Sequence, residues 1–397
     1  TTYEITRDSV TGEIIVGNGP TAQHPTQPST VTPKDGYRFE KWQQDDLTFF
    51  NSDDELRNSE YLEDQTFIAH FTVRRDLHYE IHYFYEDANG VVTEDTAAAI
   101  VSDIGVFGEK ILTTTVPKES EFNGKNYVLV RVEGADKQVG LNPDENIVNV
   151  YYSMDEIGEP DPDEPDNIPD KYQITFTYVS ADANKGTVTG TTKEVVTTYE
   201  ITRDSVTGEI IVGNGPTAQN PTQPSTVEAK EGYKFDKWTD NAKNSFNDDT
   251  ALKAASYLEN QTFTAYFKAT EQTYRVKYLN EDTLAEIHTM SDPKAAHFGD
   301  VIEGYTEKIE ISGYTFVRAD DLTVRTDNEK NIVTVYYSKD DNKDDIPDKY
   351  QITFTYVSAD ADKGTVTGIT SEVATTYEIT RDSVTGEIIV GNGPTAQ

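Results

Sequence analysis

The sequence predicts a mostly β protein (α+β), built as a tandem array of small modules with at most one short helix in each. Three observations predict this class. Long segments recur along the 397 residues, 24 Tyr and 16 Phe accompany many Thr and Val, and apolar–polar alternations are separated by Gly-containing turns. Recurring segments are the signature of repeat architectures. Aromatic and β-branched residues favour strands, and alternation with period two indicates strands buried on one face.

The repeats divide the chain into two alternating module types, which we call A and B. The 23 residues TTYEITRDSVTGEIIVGNGPTAQ occur three times, beginning at Thr1, Thr197 and Thr375. We place a partial A module at 1–75, a B module at 76–155, an acidic Pro-rich linker at 156–170, a complete A module at 171–271, a second B module at 272–340, a second acidic linker at 341–348 and a partial A module at 349–397. The ends of the sequence fall inside a repeat, so we expect a fragment of a longer array.

Strands dominate the predicted A module. In QITFTYV, the residues Ile174, Phe176 and Tyr178 share one face, as in a half-buried strand. The repeated 23-residue segment predicts a hairpin around a Gly-containing turn. GYKFDKW ends at Trp238, which interrupts the alternation and predicts a bulge or a strand end nearby.

One helix is predicted in the complete A module, in DDTALKAASYLENQ. Asp248 or Asp249 can cap its N-terminus. One face then carries four apolar side chains, namely Ala251, Leu252, Ala255 and Leu258. The equivalent segment after Ser52 is a weaker candidate.

Composition excludes several classes of function. The formal charge of −37 disfavours nucleic acid and anionic membranes as partners. No apolar run reaches the ~18 residues of a membrane span. The absence of cysteine excludes disulfides, thiolate metal sites and cysteine nucleophiles.

No catalytic constellation is recognisable, and we predict that the chain is not an enzyme. The sequence lacks nucleophile-elbow, zinc-protease, P-loop and dinucleotide-binding motifs. Histidines differ between the repeats: His24 is replaced by Asn220, His70 by Tyr266 and His82 by Lys277. Trp42 and Trp238 occupy equivalent positions, where a large apolar anchor of the core is favoured over an exposed sugar-stacking residue.

The acidic linkers raise the question of calcium. Closely spaced carboxylates are the ligands that Ca²⁺ prefers. The candidates are Asp161, Asp163, Asp166 and Asp170 in the first linker, and Asp341, Asp344, Asp345 and Asp348 in the second. However, the Gly of D-x-D-x-D-G-I-P-D calcium repeats is replaced by Asn167 and Asp345. Solvated, extended and stiff spacers are therefore the favoured interpretation, with weak calcium binding as the alternative; no other cofactor is predicted. No spacer separates an A module from the following B module, so we expect these two to dock as a rigid pair.

The motifs resemble two families. The A module resembles the Listeria–Bacteroides repeat, the internalin B-repeat family, through Y-x-I-T-F-T-Y, GYKFDKW and QTFTAYF, with the 23-residue hairpin as an insertion. The B module resembles the mucin-binding-protein (MucBP) repeat through YRVKYLNEDT, HFGDVIEGY, ISGYTFVR and NIVTVYYS. The resemblance implies β-grasp-like modules in extracellular adhesins on the cell wall of Gram-positive bacteria. It brings no catalytic residues.

The resemblance leaves three functional hypotheses. In the first, the chain is a stalk that projects a functional head from the cell wall. In the second, the B modules bind mucin or host glycans directly, and the candidate ligand-binding residues of a shared, exposed aromatic patch are Tyr127, Tyr152, Tyr314 and Tyr337, although alternation places some of them in the core. In the third, the chain is a non-catalytic region of a large surface enzyme. We expect a monomeric rod; the alternative is that the complementary half-modules at 24–75 and 349–397 join chains head to tail.

Overall fold

The computed structural model describes residues 3–26, 30–44, 47–112, 114–222 and 226–396, with only the backbone described at residues 101 and 102. It is mostly β, which confirms the predicted class. The α-helices of the described residues are α1 (Asp53–Arg57) and α2 (Asp249–Lys253). Short 3₁₀ turns lie at Pro143–Glu145, Asp170–Tyr172, Gly304–Glu307, Asn328–Lys330 and Asp348–Tyr350.

The strands of the described residues are between two and ten residues long. Up to residue 155 they are β1 (Ile5–Arg7), β2 (Ile14–Val16), β3 (Tyr37–Gln44), β4 (Phe49–Phe50), β5 (Phe67–Val73), β6 (Leu77–Glu86), β7 (Val92–Glu94), β8 (Ile100–Gly105), β9 (Glu119–Phe122), β10 (Lys125–Glu133) and β11 (Ile147–Met154). The complete A module contributes β12 (Gln173–Ser180), β13 (Gly186–Thr189), β14 (Lys193–Thr197), β15 (Ile201–Arg203), β16 (Ile210–Val212), β17 (Thr226–Ala229), β18 (Tyr233–Thr239), β19 (Ser245–Phe246) and β20 (Gln261–Ala269). The remainder are β21 (Glu271–Asn280), β22 (Glu286–His288), β23 (Lys294–His297), β24 (Val301–Ile302), β25 (Tyr314–Asp320), β26 (Leu322–Thr323), β27 (Ile332–Lys339), β28 (Gln351–Thr355), β29 (Ser371–Thr375), β30 (Ile379–Arg381) and β31 (Ile388–Val390).

Residue contacts group the chain into two compact units. The first comprises residues 1–175, 194–219 and 257–260, and the second comprises 176–193, 220–256 and 261–397. The boundary crosses the complete A module. It places the hairpin β15–β16 in the same unit as the B module that precedes it in sequence.

The first unit is organised around the sheet of the first B module. Its strands lie in the order β7-β6-β11-β10-β9, and β8 also pairs with β6. The central strands β6 and β11 are parallel, and the flanking pairs are antiparallel. A bulge interrupts β10 between Leu129 and Arg131. The partial A module adds the sheet β4-β3-β5 and the hairpin β1–β2.

The second unit repeats this plan. Its B-module sheet has the order β22-β21-β27-β25, with a parallel central pair β21–β27 and with β23 paired to β21. β25 has the equivalent bulge, between Phe316 and Arg318. In the A module, β12 lies parallel to β20, which is antiparallel to β18. The last residues form the ribbons β28–β29 and β30–β31.

The predicted strand faces and tryptophan anchors are confirmed. Ile174, Phe176 and Tyr178 are buried, and so is Trp238. The ring of Trp238 packs 5.9 Å from that of Tyr178, and its indole N–H donates to Asp249 at 2.8 Å. The expected bulge lies in β18 between Phe235 and Lys237.

The predicted helix forms but is shorter than its apolar pattern suggests. Asp248 is the N-cap and accepts the backbone N–H of Ala251 at 2.8 Å. Leu252 is fully buried, whereas Leu258 is exposed. The helix ends at Lys253, and Tyr257 instead bridges to Gln219 through backbone hydrogen bonds in the first unit. The weaker candidate after Ser52 forms an equally short helix, α1.

Candidate functional site at the module junctions

The tyrosines predicted to form an exposed patch are mainly core residues, so this expectation is wrong for three of them. Tyr127, Tyr152 and Tyr337 are buried, and Tyr314 is half-buried. The Tyr152 hydroxyl donates to the carbonyl of Pro117 at 2.9 Å, and the Tyr337 hydroxyl donates to that of Ile309 at 2.8 Å. Along β11, Tyr152 lies on the same face as the buried Val148 and Val150. Along β27, Tyr337 shares a face with Val333 and Val335 in the same way. Both rings therefore point into the core.

The neighbouring tyrosines lie on the outer face of each B-module sheet. Arg131 lies over the ring of Tyr151 at 3.9 Å, and Arg318 lies over that of Tyr336 at 3.7 Å. The Tyr151 hydroxyl donates to Glu133 at 3.1 Å. In the second B module the hydroxyl of Tyr336 donates to Asp320 at 3.0 Å. Both B modules therefore present the same aromatic, cationic and acidic side chains in the same arrangement.

The first acidic linker is a closed loop, which corrects the expectation of an extended spacer. The carboxylate of Asp155, at the end of β11, accepts the backbone N–H groups of Asp166 at 3.2 Å and Asn167 at 2.9 Å. Asp170 in turn accepts the N–H groups of Glu156 and Ile157. The two ends of the linker are thereby held side by side.

The second linker uses the same anchors over a shorter length. Asp340 accepts the backbone N–H groups of Lys343, Asp344 and Asp345. Asp348 accepts that of Asp341. Asp155 and Asp166 are 11 positions apart, whereas Asp340 and Asp344 are 4 apart. Extra residues in the first linker thus enlarge the loop without changing its attachment.

The linker carboxylates are occupied mainly as acceptors of backbone hydrogen bonds. Asp161 accepts from the N–H of Asp163, and Asp166 accepts from those of Glu159 and Ile168. Within the described ranges, no group of three or more His, Cys, Asp or Glu is placed to hold a metal ion. Calcium binding by the linkers stays a prediction.

Two carboxyls that hold the ends of the first linker are distinguished by their burial. Burial raises the pKa of Asp155 to about 7, although the two backbone N–H groups that it accepts act in the opposite direction. Burial also raises the pKa of Asp170.

The turn of each linker keeps the backbone of the calcium repeat. Asn167 and Asp345, which replace the glycine of the calcium repeat, have φ of 70° and 66°. The turn therefore keeps the left-handed conformation that a glycine would adopt most easily.

At the junction from A to B, a phenylalanine of the B module packs on the A module. The N–H of Phe107 donates to the carbonyl of Arg74 at 3.0 Å, and its ring lies against Gly36 and Tyr37. In the second unit, the N–H of Phe298 donates to the carbonyl of Thr270 at 3.0 Å.

The Phe298 ring lies against Gly232 and Tyr233. A Cβ at either Gly36 or Gly232 would overlap the phenylalanine ring, and both glycines have positive φ. This direct contact agrees with the absence of a spacer.

At the junction from B to A, the 23-residue hairpin docks on the edge of the preceding B module. The Arg203 guanidinium donates to the carbonyl of Leu129 at 3.2 Å, beside the bulge in β10, and to that of Asn167 at 2.6 Å. The Glu209 carboxylate accepts the N–H of Val132 at 2.6 Å. One arginine thus joins the hairpin, the linker turn and the B-module sheet.

The second unit has the same hairpin contacts. The Arg381 guanidinium donates to the carbonyls of Phe316 at 2.9 Å and Asp345 at 2.8 Å. Glu387 accepts the N–H of Ala319 at 2.9 Å. The sequence analysis did not predict that the hairpin docks on the B module. The sequence feature that could have indicated it is that the hairpin is identical at all three positions, whereas the segments around it differ.

His82 of the first B module takes part in local hydrogen bonds on the outer side of its sheet. His82 lies between Glu94 at 2.6 Å and Glu80 at 2.9 Å, and hydrogen bonds to Glu94 and then Glu80 raise its pKa. In the second B module, Lys277 pairs with Glu286 at the corresponding place. A nitrogen-bearing side chain beside an acidic residue is therefore kept when the histidine is replaced.

Comparison with known proteins supports one of the two resemblances. A family model described as a divergent InlB B-repeat domain matches residues 3–74. The match covers the first A module and agrees with a repeat region of a bacterial surface protein. No curated protein matches the chain. No helix of the described segments has the length and hydrophobicity needed to cross a membrane. The MucBP resemblance of the B modules stays a prediction.

Proposed function

We propose that the chain is a non-catalytic stalk segment of an adhesin-like protein on the cell wall of a Gram-positive bacterium, where it holds a functional head away from the wall. The observation that carries this proposal is that both kinds of junction are built twice with equivalent residues. Phe107 and Phe298 make one junction, and Arg203 and Arg381 make the other.

Contacts of this kind suit a spacer that must keep its length. A repeat array gains length by adding copies, and each added copy introduces only nearest-neighbour interfaces. The hairpin and the closed linker attach an A module to the B module before it at several points. Lys171 adds an ion pair with Glu86, and Lys349 pairs with Glu281 at 2.8 Å. Bending at these junctions would have to break several hydrogen bonds at once.

Small-angle X-ray scattering of the 397-residue chain tests whether the junctions are stiff. We expect the wild type to scatter as linked rigid bodies, and the double variant Arg203→Glu/Arg381→Glu to show greater flexibility. Arg7→Glu is the matched control, because among the described residues Arg7 donates only to the carbonyl of Gly12, within its own hairpin. A wild-type profile that is already flexible and does not change in the double variant would contradict the proposal.

The outer face of the B modules favours glycan binding as a second candidate function. The Tyr151–Arg131 and Tyr336–Arg318 pairs combine a ring with guanidinium donors. Phe84 stacks on Tyr151 at 5.0 Å and enlarges the surface in the first B module. Aromatic rings with a polar neighbour are typical of surfaces that bind partly apolar, hydroxyl-rich ligands.

Binding to mucin and to a glycan array, with calcium and with chelator, tests this second function. The variant is Tyr151→Ala/Tyr336→Ala, and the control is Tyr266→Ala, an exposed tyrosine of the complete A module. Binding that is lost only in the double variant supports glycan recognition by the B modules. Binding that depends on calcium would indicate that the acidic linkers take part in ligand recognition. If the chain is folded but binds none of the ligands, glycan binding is excluded and the stalk remains the proposed function.

A further inference from the structure

We propose that the first acidic linker and the strand that follows it form a calcium site. Its protein ligands are the carboxylates of Glu159 and Asp166 and the amide oxygen of Gln173. The inference goes beyond the stalk function, because it assigns a ligand to the junction from B to A. It also differs from the prediction made from the sequence, since only one of the four aspartates predicted in this linker, Asp166, belongs to the site.

The observation that points to a ligand is the buried side chain of Gln173, the first residue of β12. Gln173 is 7% exposed, and its Nε2 donates to the Asp166 carboxylate at 2.7 Å. Its Oε1 is buried and accepts no hydrogen bond from the described residues. Exchanging the two amide atoms would place Oε1 against the carboxylate, so charge fixes this orientation. A buried acceptor without a partner is costly, and it calls for an ion or a water molecule beside it.

Two carboxylates of the linker meet next to this amide without a cation. Asp166 accepts the backbone N–H groups of Glu159 at 3.2 Å and Ile168 at 2.8 Å, but no ion pair holds it among the described residues. A Cβ at Gly158 would overlap the side chain of Asp166, so the two segments lie in direct contact. Burial, and then the negative charges of Asp166 and Glu194, raise the pKa of Glu159. A bound cation would compensate this charge.

The second linker shows how the same arrangement is satisfied without a metal. There, the Nε2 of Gln351 donates to Asp344 at 2.6 Å, as Gln173 donates to Asp166 in the first linker. The side-chain amide of Asn342 donates to the Oε1 of Gln351 at 3.2 Å. The same amide donates to the Asp344 carboxylate at 3.0 Å. A neutral N–H donor therefore serves both oxygens.

The first linker lacks this donor. Asn342 stands two residues after the aspartate that anchors its linker, and the residue two after the anchor of the first linker is Ile157. An isoleucine side chain cannot donate a hydrogen bond. The longer loop of the first linker brings the Glu159 carboxylate instead. The first linker thus has one donor fewer and one anion more than the second, which is the change that a cation would satisfy.

The oxygen ligands favour Ca²⁺ over other cations. Ca²⁺ takes roughly six to eight oxygens from carboxylates, amide carbonyls and water in a flexible geometry, whereas Mg²⁺ demands a near-ideal octahedron. The described residues hold no purely acidic or histidine cluster placed to bind a metal, so the neutral amide oxygen is an essential ligand and water completes the shell. We expect a dissociation constant of about 10⁻⁴ to 10⁻³ M, as in extracellular calcium modules. Bound calcium would tie the linker to the first strand of the next A module.

Calcium titration calorimetry of the 397-residue chain, at physiological salt and with excess magnesium, tests the site. We expect one saturable site per chain. Glu159→Gln and Ile157→Asn should each weaken calcium binding by about tenfold or more, because the first removes a charged ligand and the second supplies the amide donor that Asn342 provides in the second linker. The control is Asp161→Asn/Asp163→Asn, which removes two linker charges outside the site and should leave the affinity unchanged.

Thermal unfolding followed by circular dichroism gives the second readout. Calcium should raise the melting temperature of the wild type by mass action. Ile157→Asn should be folded without calcium, because its amide satisfies the Gln173 oxygen, and calcium should not shift its melting temperature. The proposal is overturned if the wild type shows no saturable binding at millimolar calcium, or if Ile157→Asn and Glu159→Gln bind as the wild type does. Loss of binding in the Asp161→Asn/Asp163→Asn control would equally overturn it.

Discussion

The complete A module and the partial one at residues 1–75 share the identical 23-residue hairpin and related later strands, in different surroundings. Both keep the hydrogen bond from the tryptophan to a helix aspartate, Trp238 to Asp249 and Trp42 to Asp53. The hairpins differ in what they touch. No hydrogen bond joins residues 3–18 to the rest of the described chain, whereas Arg203 binds two carbonyls outside its own hairpin.

The comparison separates what is locally encoded from what the neighbouring module supplies. Asp8 accepts the N–H groups of Val10 and Thr11, and Asp204 accepts those of Val206 and Thr207. The turn therefore forms in both contexts, as expected of an aspartate that bonds to backbone groups two and three residues ahead. In the second hairpin, Arg203 and Glu209 add docking on the first B module to this local turn.

The largest expected difference between the two modules concerns their tryptophans. Trp238→Ala should lower the free energy of unfolding by about 3–5 kcal/mol, the usual cost of emptying a fully buried aromatic site. Trp42→Ala should cost less, because Trp42 is 9% exposed, whereas Trp238 is fully buried. Denaturant unfolding followed by circular dichroism measures both. Equal losses would show that the partial module packs as tightly as the complete one.

Removing the docking arginine should have the next largest effect. Arg203→Ala leaves the carbonyls of Leu129 and Asn167 without a charged donor, which should cost about 1.5–3 kcal/mol. Arg7→Ala, at the equivalent position of the undocked hairpin, should stay within about 0.5 kcal/mol. The melting of the two variants by calorimetry provides the comparison. If both variants behave alike, the docking of the hairpin does not stabilise the first unit.

The junction from A to B should respond identically at its two positions. Gly36→Ala and Gly232→Ala should each cost about 1–3 kcal/mol, because the new methyl group overlaps Phe107 or Phe298. Gly12→Ala serves as the control, since Gly12 has positive φ and a Cβ added there would meet no other atom within 4 Å. The stability lost in Gly12→Ala measures the backbone strain alone. If Gly36→Ala and Gly232→Ala lose no more stability than Gly12→Ala, the overlap with the phenylalanine rings does not contribute.

A pH dependence is expected of the first linker. Because the pKa of Asp155 is raised to about 7 in the folded chain, the folded state holds a proton that the unfolded state releases near pH 4. The stability contributed by Asp155 is therefore present at low pH and is lost as the pH rises through about 7. The difference in unfolding free energy between wild type and Asp155→Asn should change between pH 5 and pH 8. A constant difference would contradict the shifted pKa.

Sequence patterns predicted the elements that depend on local chemistry. The alternation of Ile174, Phe176 and Tyr178 and the position of Trp238 identified the core correctly. The prediction of the aromatic patch failed at Tyr152. Tyr151 and Tyr152 are adjacent and face opposite sides of one strand, so the residue type alone does not show which of the two is exposed. The closed linkers and the docked hairpin depend on contacts between segments distant in sequence, such as Arg203 with Leu129. No local pattern encodes such contacts.

Distance measurement between spin labels tests most directly the claim that one hairpin sequence is docked in one place and undocked in another. Nitroxides at Val206→Cys and Asp144→Cys report the docked hairpin against the first B module, and Val10→Cys with Asp144→Cys reports the undocked one. We predict a narrow distance distribution for the Val206 pair, which broadens with Arg203→Glu, and a broad distribution for the Val10 pair. A broad distribution for the Val206 pair in the otherwise unchanged chain would contradict the account.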